Sequence, residues 1–359
     1  MLRGLNQIIQ LKVILSCPEV SRRLALKALE ISEDPEKRKV MSQLIAPFMR
    51  PYILGHDIKS SFESADNLQQ QKDVSIIFDY AGEYATTDLE REKNLEYYHK
   101  SIGDTEHPSV RYFAIKYTGI VNAELLGQTS LNSTEKKTLE IELERVTSLC
   151  QLASDKKKTL FIDAEGFNEE TRILGHVKTL LPQFNKKEAL IYPTFQMYRK
   201  DSIERLLELK RQSDEEDFIC SAKIVNGAYH ANDSRLFPDQ LCTKKEDSHA
   251  NFLEALHIAA ENKIDTVVAT HNPSLMEAAV KLKFPRMTLG QLYGMETSIP
   301  QSYTAKNRLL YGVSGDKEIT MPYFLRRIVE HTESSPQILE SRIGFLKKHL
   351  IETFLSPWK

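Results

Sequence analysis

Paired cysteines are missing from this chain. Its four, Cys17, Cys150, Cys220 and Cys242, stand far apart with no shared spacing. That excludes a disulfide framework and a zinc site of ordinary ligand spacing, and it fits a reducing compartment. No metal is expected. Also missing is any run of the ~18 apolar residues that a membrane span needs. Neither sign of charge is in excess, since 48 Lys and Arg face 50 Asp and Glu for a net −2. A nucleic-acid partner would therefore find no basic footprint. No Gly-x-Gly-x-x-Gly follows the first strand-like run, which disfavours an open dinucleotide-binding sheet.

What is present is ordinary globular composition. The 359 residues are 41% hydrophobic and 27% charged, enough for one large α/β domain or two smaller ones. Residues 1–72 read as a helical arm. Leu24–Ile31 is a strong helix former ended by Ser32-Glu33-Asp34-Pro35. A second helix is predicted over Lys37–Met49, stopping at Pro51, and a third over Lys59–Lys72. Met1–Leu24 carries Arg3, Lys12, Arg22 and Arg23 against Glu19 alone. It resembles a weak transit segment, but it is poor in Ser and flows into the helical pattern.

Then the rhythm changes to short apolar runs, most followed by a helical segment. The runs are Ser75–Tyr80, Tyr112–Tyr117, Lys158–Asp163, Ala189–Phe195, Ile219–Val225, Asp265–Thr270, Arg286–Leu292 and Arg308–Tyr311. The tally predicts a (β/α)₈ barrel over residues 73–345, with 346–359 as a tail. A count of seven or nine strands stays open.

The last strand leads to Met321–Glu330, predicted as a helix with Pro322 in its first turn, where a missing N–H costs nothing. Phe324, Leu325, Ile328 and Val329 form an apolar face. Tyr323, Arg326, Arg327 and Glu330 share the other. Two adjacent guanidiniums suit a carboxylate or phosphate, because each fork binds two oxygens. The plainer reading is a solvated helix face.

Barrel enzymes place their chemistry where strands end. The polar residues there are Glu83, Lys116, Asp163, Glu165, Gln196, Lys223, Tyr229, Thr270-His271-Asn272, Gln291, Glu296 and Tyr311. Singly, Asp163 reads as a turn cap, His271 as a satisfied imidazole and Lys116 as an ion-pair partner. Together with the arginines they outline an anion-binding, hydrogen-bonding site.

Six motifs, in order, resemble strand-end motifs of the proline dehydrogenase family, nearest its stand-alone fungal type. They are Phe161-Ile162-Asp163-Ala164-Glu165, Tyr192-Pro193-Thr194-Phe195-Gln196-Met197-Tyr198, Lys223-Ile224-Val225-Asn226-Gly227-Ala228-Tyr229, Ala269-Thr270-His271-Asn272, Gln291-Leu292-Tyr293-Gly294-Met295 and Tyr323-Phe324-Leu325-Arg326-Arg327. The resemblance implies a distorted TIM-like barrel holding FAD, with the last helix across its mouth. It also implies oxidation of L-proline to Δ1-pyrroline-5-carboxylate with electrons passed to a quinone. A mitochondrial location is implied, on the matrix side of the inner membrane with possible peripheral attachment. A cytoplasmic one is the alternative, for want of a clear transit segment.

Carried over position by position, the resemblance gives Arg326 and Arg327 the substrate carboxylate, with Lys116 beside it. Asp163 orders the pocket, and Tyr311 and Tyr323 wall the proline ring. Gln196, Lys223, Val225, Gly227, Ala228, Tyr229, Thr270, His271, Gln291 and Glu330 fall to the flavin. Asn226 stands where a basic residue is usual, and Gly312–Gly315 replaces a proline-containing turn. Hydride transfer to flavin N5 is the implied mechanism, with water taking the amine proton. Tyr311, by filling space at ring carbon C4, favours proline over 4-hydroxyproline. The rivals are a 4-hydroxyproline dehydrogenase, a flavin-free barrel lyase using Lys116 or Lys223 as a Schiff base, and a degenerate, non-catalytic homologue.

Overall fold

The computed structural model describes residues 18–50, 52–72, 74–227, 229–296 and 308–333. All eight predicted runs are strands, and a ninth precedes them. In chain order the strands are β1 Ile53–Gly55, β2 Ser75–Tyr80, β3 Tyr112–Ile115, β4 Thr159–Ile162, β5 Ile191–Gln196, β6 Ser221–Val225, β7 Asp265–Ala269, β8 Met287–Leu292 and β9 Arg308–Ser314. Each of β2–β8 pairs in parallel with the next, and β9 pairs with both β8 and β2, which closes an eight-stranded barrel. The short β1 lies outside the closure and pairs with β9 through Ile53 and Val313.

Near-continuous apolar strands follow from burial on both faces. Phe78, Phe113, Ile115, Leu160 and Ile162 point outward into the layer shared with the helices. The alternate positions Ile77, Ala114, Phe161, Val267, Leu309 and Tyr311 fill the barrel. The surrounding helices are α3 Ile58–Lys72, α4 Asp88–Gly103, α5 Ala123–Gly127, α6 Ser133–Asp155, α7 Phe167–Phe184, α8 Ser202–Glu215, α9 His230–Leu236, α10 Lys245–Glu261 and α11 Pro273–Lys281, preceded by α1 Pro18–Ile31 and α2 Pro35–Met49 and followed by α12 Lys317–Glu333. Local chemistry sets their ends. Thr87 with Glu90, and Asn132 with Glu135, close capping boxes at α4 and α6. Asn272 caps α11 ahead of Pro273. After α6, α8, α10 and α11 the chain turns through the left-handed conformation at Lys157, Asp217, Lys263 and Lys283, a stop usually given to glycine.

Two sequence readings change. α3, grouped above with the arm, belongs to the barrel: Phe62 is fully buried with its ring edge-on to Phe78 at 4.8 Å. The arm proper is α1 and α2. It docks on α12 through Ala25, Met49, Tyr52, Met321, Phe324 and Leu325. Pro322 is not in a first turn either. α12 begins at Lys317, capped by the Asp316 carboxylate accepting the Glu318 and Ile319 amides at 2.9 and 3.0 Å. Pro322 thus falls in the second turn, where it removes the donor for the Glu318 carbonyl. The segments 1–17, 334–345 and 346–359, with the transit and tail readings that fall on them, lie outside the described residues.

Candidate active site

Strand alternation delivers a ring of polar side chains to the C-terminal end of the barrel. Asp79 ends β2, Lys116 follows β3, Asp163 follows β4, and Lys223 and Tyr311 come from β6 and β9. The Lys116 ammonium pairs with Asp79, donates to the Tyr80 carbonyl at 3.2 Å and lies 3.9 Å from Asp163 Oδ2. Asp163 Oδ1 pairs with Lys223, whose Nζ donates to the Tyr311 hydroxyl at 2.7 Å and sits 4.6 Å from that ring's centre. Asp163 therefore bridges two lysines. Burial pushes the Asp79 carboxyl up to about 6, with Lys116 pulling it back and Asp163 adding to the rise. Burial works against the Lys116 charge, but Asp79 and Asp163 outweigh it and hold the ammonium above its ordinary range. The Tyr311 hydroxyl is pushed up, mostly by burial, and stays neutral.

The arginine pair stands above this network. Arg326 pairs with Glu83 from the β2–α4 loop and keeps 39% of its side-chain surface exposed. Arg327 is 7% exposed, its guanidinium 4.8 Å from the Tyr323 ring centre. The face predicted as polar is thus only partly solvated, with Tyr323 and Arg327 buried and Arg326 reaching solvent. Behind Glu83, Tyr84 adopts a left-handed backbone at φ 49°. Its N–H donates to the Thr118 hydroxyl at 3.0 Å, and Thr118 in turn is gripped by Glu165 through its amide and hydroxyl. Burial, partly offset by the Thr118 bonds, pushes the Glu165 carboxyl up to about 8.

On the opposite lip, Gln196 donates to the Glu165 carbonyl at 2.8 Å. The backbone leaving β6 turns at Gly227 with φ 112°, where a Cβ would sit 2.0 Å from the Tyr198 ring. Val225, Asn226 and Gly227 are half-buried and lead to Tyr229, whose ring meets Tyr84 edge-on at 6.5 Å. Burial, with Glu83 and Glu165 adding, raises the Tyr229 hydroxyl. After β7, the buried Thr270 hydroxyl accepts the Asn272 amide at 3.1 Å. His271 Nε2 accepts the Leu292 amide at 3.3 Å.

Lys116, Asp163, Lys223, Tyr311, Gln196 and Tyr229 are brought together, with Tyr323, Arg326 and Arg327 overhead. Gln291 is not among them. It accepts from Arg308 at 2.9 Å and reaches Met276 Sδ of α11 at 3.5 Å, on the outer side of β8. The strand's alternation decides this, because Gln291 pairs with outward-facing Leu310. Ala228 and the Glu330 side chain lie outside the described residues. Sequence reading passed over Asp79 and Thr118. Asp79 had a signal, since it is the one charge in Ser75–Tyr80 and shares parity with inward Ile77.

Buried lysines and carboxylates at the strand ends of a parallel barrel, under an arginine-bearing helix, are the arrangement of a (β/α)₈ enzyme mouth. Residues 62–339 match the family model described as proline dehydrogenase, and the chain belongs to that family. Among curated proteins it is 23% identical over 299 residues to the carbapenem antibiotics biosynthesis protein CarD of Pectobacterium carotovorum subsp. carotovorum, covering 78% of each chain. It is 25% identical to a probable mitochondrial proline dehydrogenase of Schizosaccharomyces pombe, over 61% of this chain and 51% of that one. With human mitochondrial proline dehydrogenase 1 it shares 26% identity, over 55% of this chain and 37% of that one. The chain thus spans about half or less of these two proline dehydrogenases. Among solved structures, proline utilization A of Bdellovibrio bacteriovorus, inactivated by N-propargylglycine, superposes with TM-score 0.70 at 18% identity, covering 93% of this chain and 38% of that one. That likeness bears on the fold.

Proposed function

We propose that this chain oxidises L-proline to Δ1-pyrroline-5-carboxylate with FAD, passing electrons to a quinone. The observation that carries this is the arginine pair held over a neutralised Asp79–Lys116–Asp163–Lys223 network. Glu83 already gives Arg326 a carboxylate partner, and a substrate carboxylate would take up the same kind of bond. Arg327, buried against Tyr323, adds a second fork with little freedom to lose. Tyr311 and Tyr323 would wall the ring and exclude water.

The residues fit a flavin. Gln196 offers an amide, Lys223 a cation, Gly227 a backbone with no side chain in the way, and Tyr229 an aromatic face. Bound FAD would supply the acceptor for the substrate's hydride. Lys223 would favour negative charge developing beside it. Lys116, held charged by two carboxylates, is a poor base and a poor Schiff-base nucleophile, which speaks against the lyase reading in its Lys116 form. The amine proton therefore leaves to water. Relatives named mitochondrial support a mitochondrial location.

A second reading is favoured by the relative matched along most of its own length, which is named for carbapenem antibiotic biosynthesis. On that reading the same site takes a different cyclic imino acid. Anaerobic addition of L-proline to FAD-loaded protein tests both. Bleaching of the flavin band at about 450 nm is expected. No bleaching by proline, with bleaching by a substituted proline, would select the second reading.

A further inference from the structure

Tyr198 ends the motif that contributes Gln196, and nothing above gives it a role. Its ring is 2% exposed. It sits where a Cβ at Gly227 would go, within 2.0 Å of that position. Its N–H donates to the Asn226 carbonyl at 3.3 Å and its carbonyl accepts the Cys242 amide at 2.8 Å. Its hydroxyl donates to Asp233 Oδ2 at 2.6 Å, and Asp233 is itself 5% exposed. Asp233 belongs to α9, the short helix inserted between β6 and α10. The His230 ring of α9 meets the Tyr198 ring edge-on at 5.3 Å, and His230 Nε2 lies 3.0 Å from the Cys242 carbonyl oxygen. The far end of α9 is tied elsewhere, by Phe237 stacked on Phe167 at 4.5 Å.

One side chain therefore touches both the backbone leaving β6 and the helix that follows it. We propose that the Tyr198–Asp233 hydrogen bond is a positioning device for flavin binding: it clamps α9 to the end of β5 and so fixes Val225, Asn226, Gly227 and Tyr229 in the shape that receives the ring system. The inference rests on the flavin reading above and deepens it. The chemistry is that of a buried carboxylate whose fixed acceptor geometry depends on one donor. Without the hydroxyl, Asp233 keeps a desolvated charge with a partner lost, and the cheapest relief is to move α9 toward water. The ring still meets His230 of α9 edge-on, but that contact is weaker and less directional than the hydroxyl's bond to the carboxylate.

Tyr198→Phe keeps the ring and deletes only the donor. Asp233→Asn keeps one acceptor oxygen for the hydroxyl, while removing the charge and putting an NH2 in place of the other oxygen. Apo-protein is titrated with FAD, and amide hydrogen exchange over residues 226–236 is followed in the same variants without FAD. Tyr198→Phe should weaken FAD binding about tenfold or more, the size of one lost hydrogen bond to a charged group, and should speed exchange in that segment. Asp233→Asn, which can still accept the bond in weaker neutral form, should lose clearly less than Tyr198→Phe in both. The KM for proline at saturating FAD should not change in Tyr198→Phe, because the arginine pair is on another element. Wild-type FAD affinity in Tyr198→Phe overturns the proposal, as does an Asp233→Asn loss equal to that of Tyr198→Phe. Should wild-type protein take up no FAD, the flavin reading fails, and unchanged exchange in Tyr198→Phe would then separately overturn the clamp.

Discussion

The barrel has two ends that differ by a single step along each strand. Phe161 on β4 and Asp163 just past its end point to the same interior two residues apart. Phe161 lies among Tyr192 at 5.0 Å and Tyr311 at 6.3 Å between ring centres, where apolar filling is what the fold requires. Asp163 lies between two ammonium groups. A folding optimum would continue the apolar filling to the rim, because a buried ion pair gives little net stability over hydrophobic residues of similar size. Four interacting charges, Asp79, Lys116, Asp163 and Lys223, linked in one network at the strand ends mark where the barrel works rather than merely holds together.

Single substitutions at these two positions would break this comparison. Asp163→Leu leaves two lysines facing one carboxylate and should cost about 3–5 kcal/mol, the range for removing one partner of a buried pair. Phe161→Leu, a hydrophobic exchange at the floor, should cost less than about 1.5 kcal/mol. Denaturant unfolding of both variants checks this, and equal losses would deny the difference between the ends.

The next largest effect is on substrate. Arg327→Lys replaces a buried fork by a point charge and should weaken proline binding by about 1.5–3 kcal/mol. Arg326→Lys should cost less, since its guanidinium is partly solvated. Steady-state KM values on the two variants decide it, and a larger loss at Arg326 would reverse the assignment.

Per pH unit, a smaller effect separates the mouth from the floor. Burial raises Glu165 from 4.5 to about 8. Between those values the folded protein binds a proton that the unfolded chain has released. The contribution is complete below 4.5 and is lost as pH rises to about 8, at up to about 1.4 kcal/mol per unit. Glu165→Gln should flatten the fall in stability over that window. Wild-type slope in the variant would place the titration elsewhere, for instance on Glu170, which burial pushes up to about 7.

The smallest effect belongs to the rim. Glu83→Gln removes the partner of a partly exposed guanidinium and should change stability by no more than about 1 kcal/mol. A loss as large as that of Asp163→Leu would mean that the lip is as tightly built as the network beneath it.

The sequence by itself determined the eight barrel strands, most of the helices around them and the arginine-bearing helix. Apolar period, capping residues and prolines act within a few residues of chain, so their meaning survives in one dimension. Lys116 and Asp163 were legible as strand-end residues for the same reason, whereas Lys223 and Tyr311, read as strand ends, stand within β6 and β9. Tertiary structure alone decided the rest. β1 is three residues with no pattern of its own and exists because β9 runs past its pairing with β8 and leaves Val313 and Ser314 open on that side. Gln291 shares a strand end with the site but faces outward, because pairing with Leu310 fixes its side. The arm's seat on α12, the pairing of Glu83 with Arg326 across 243 residues and the bond from Tyr198 to Asp233 join segments that the chain keeps apart. Their energies depend on distances that exist only after the barrel has closed.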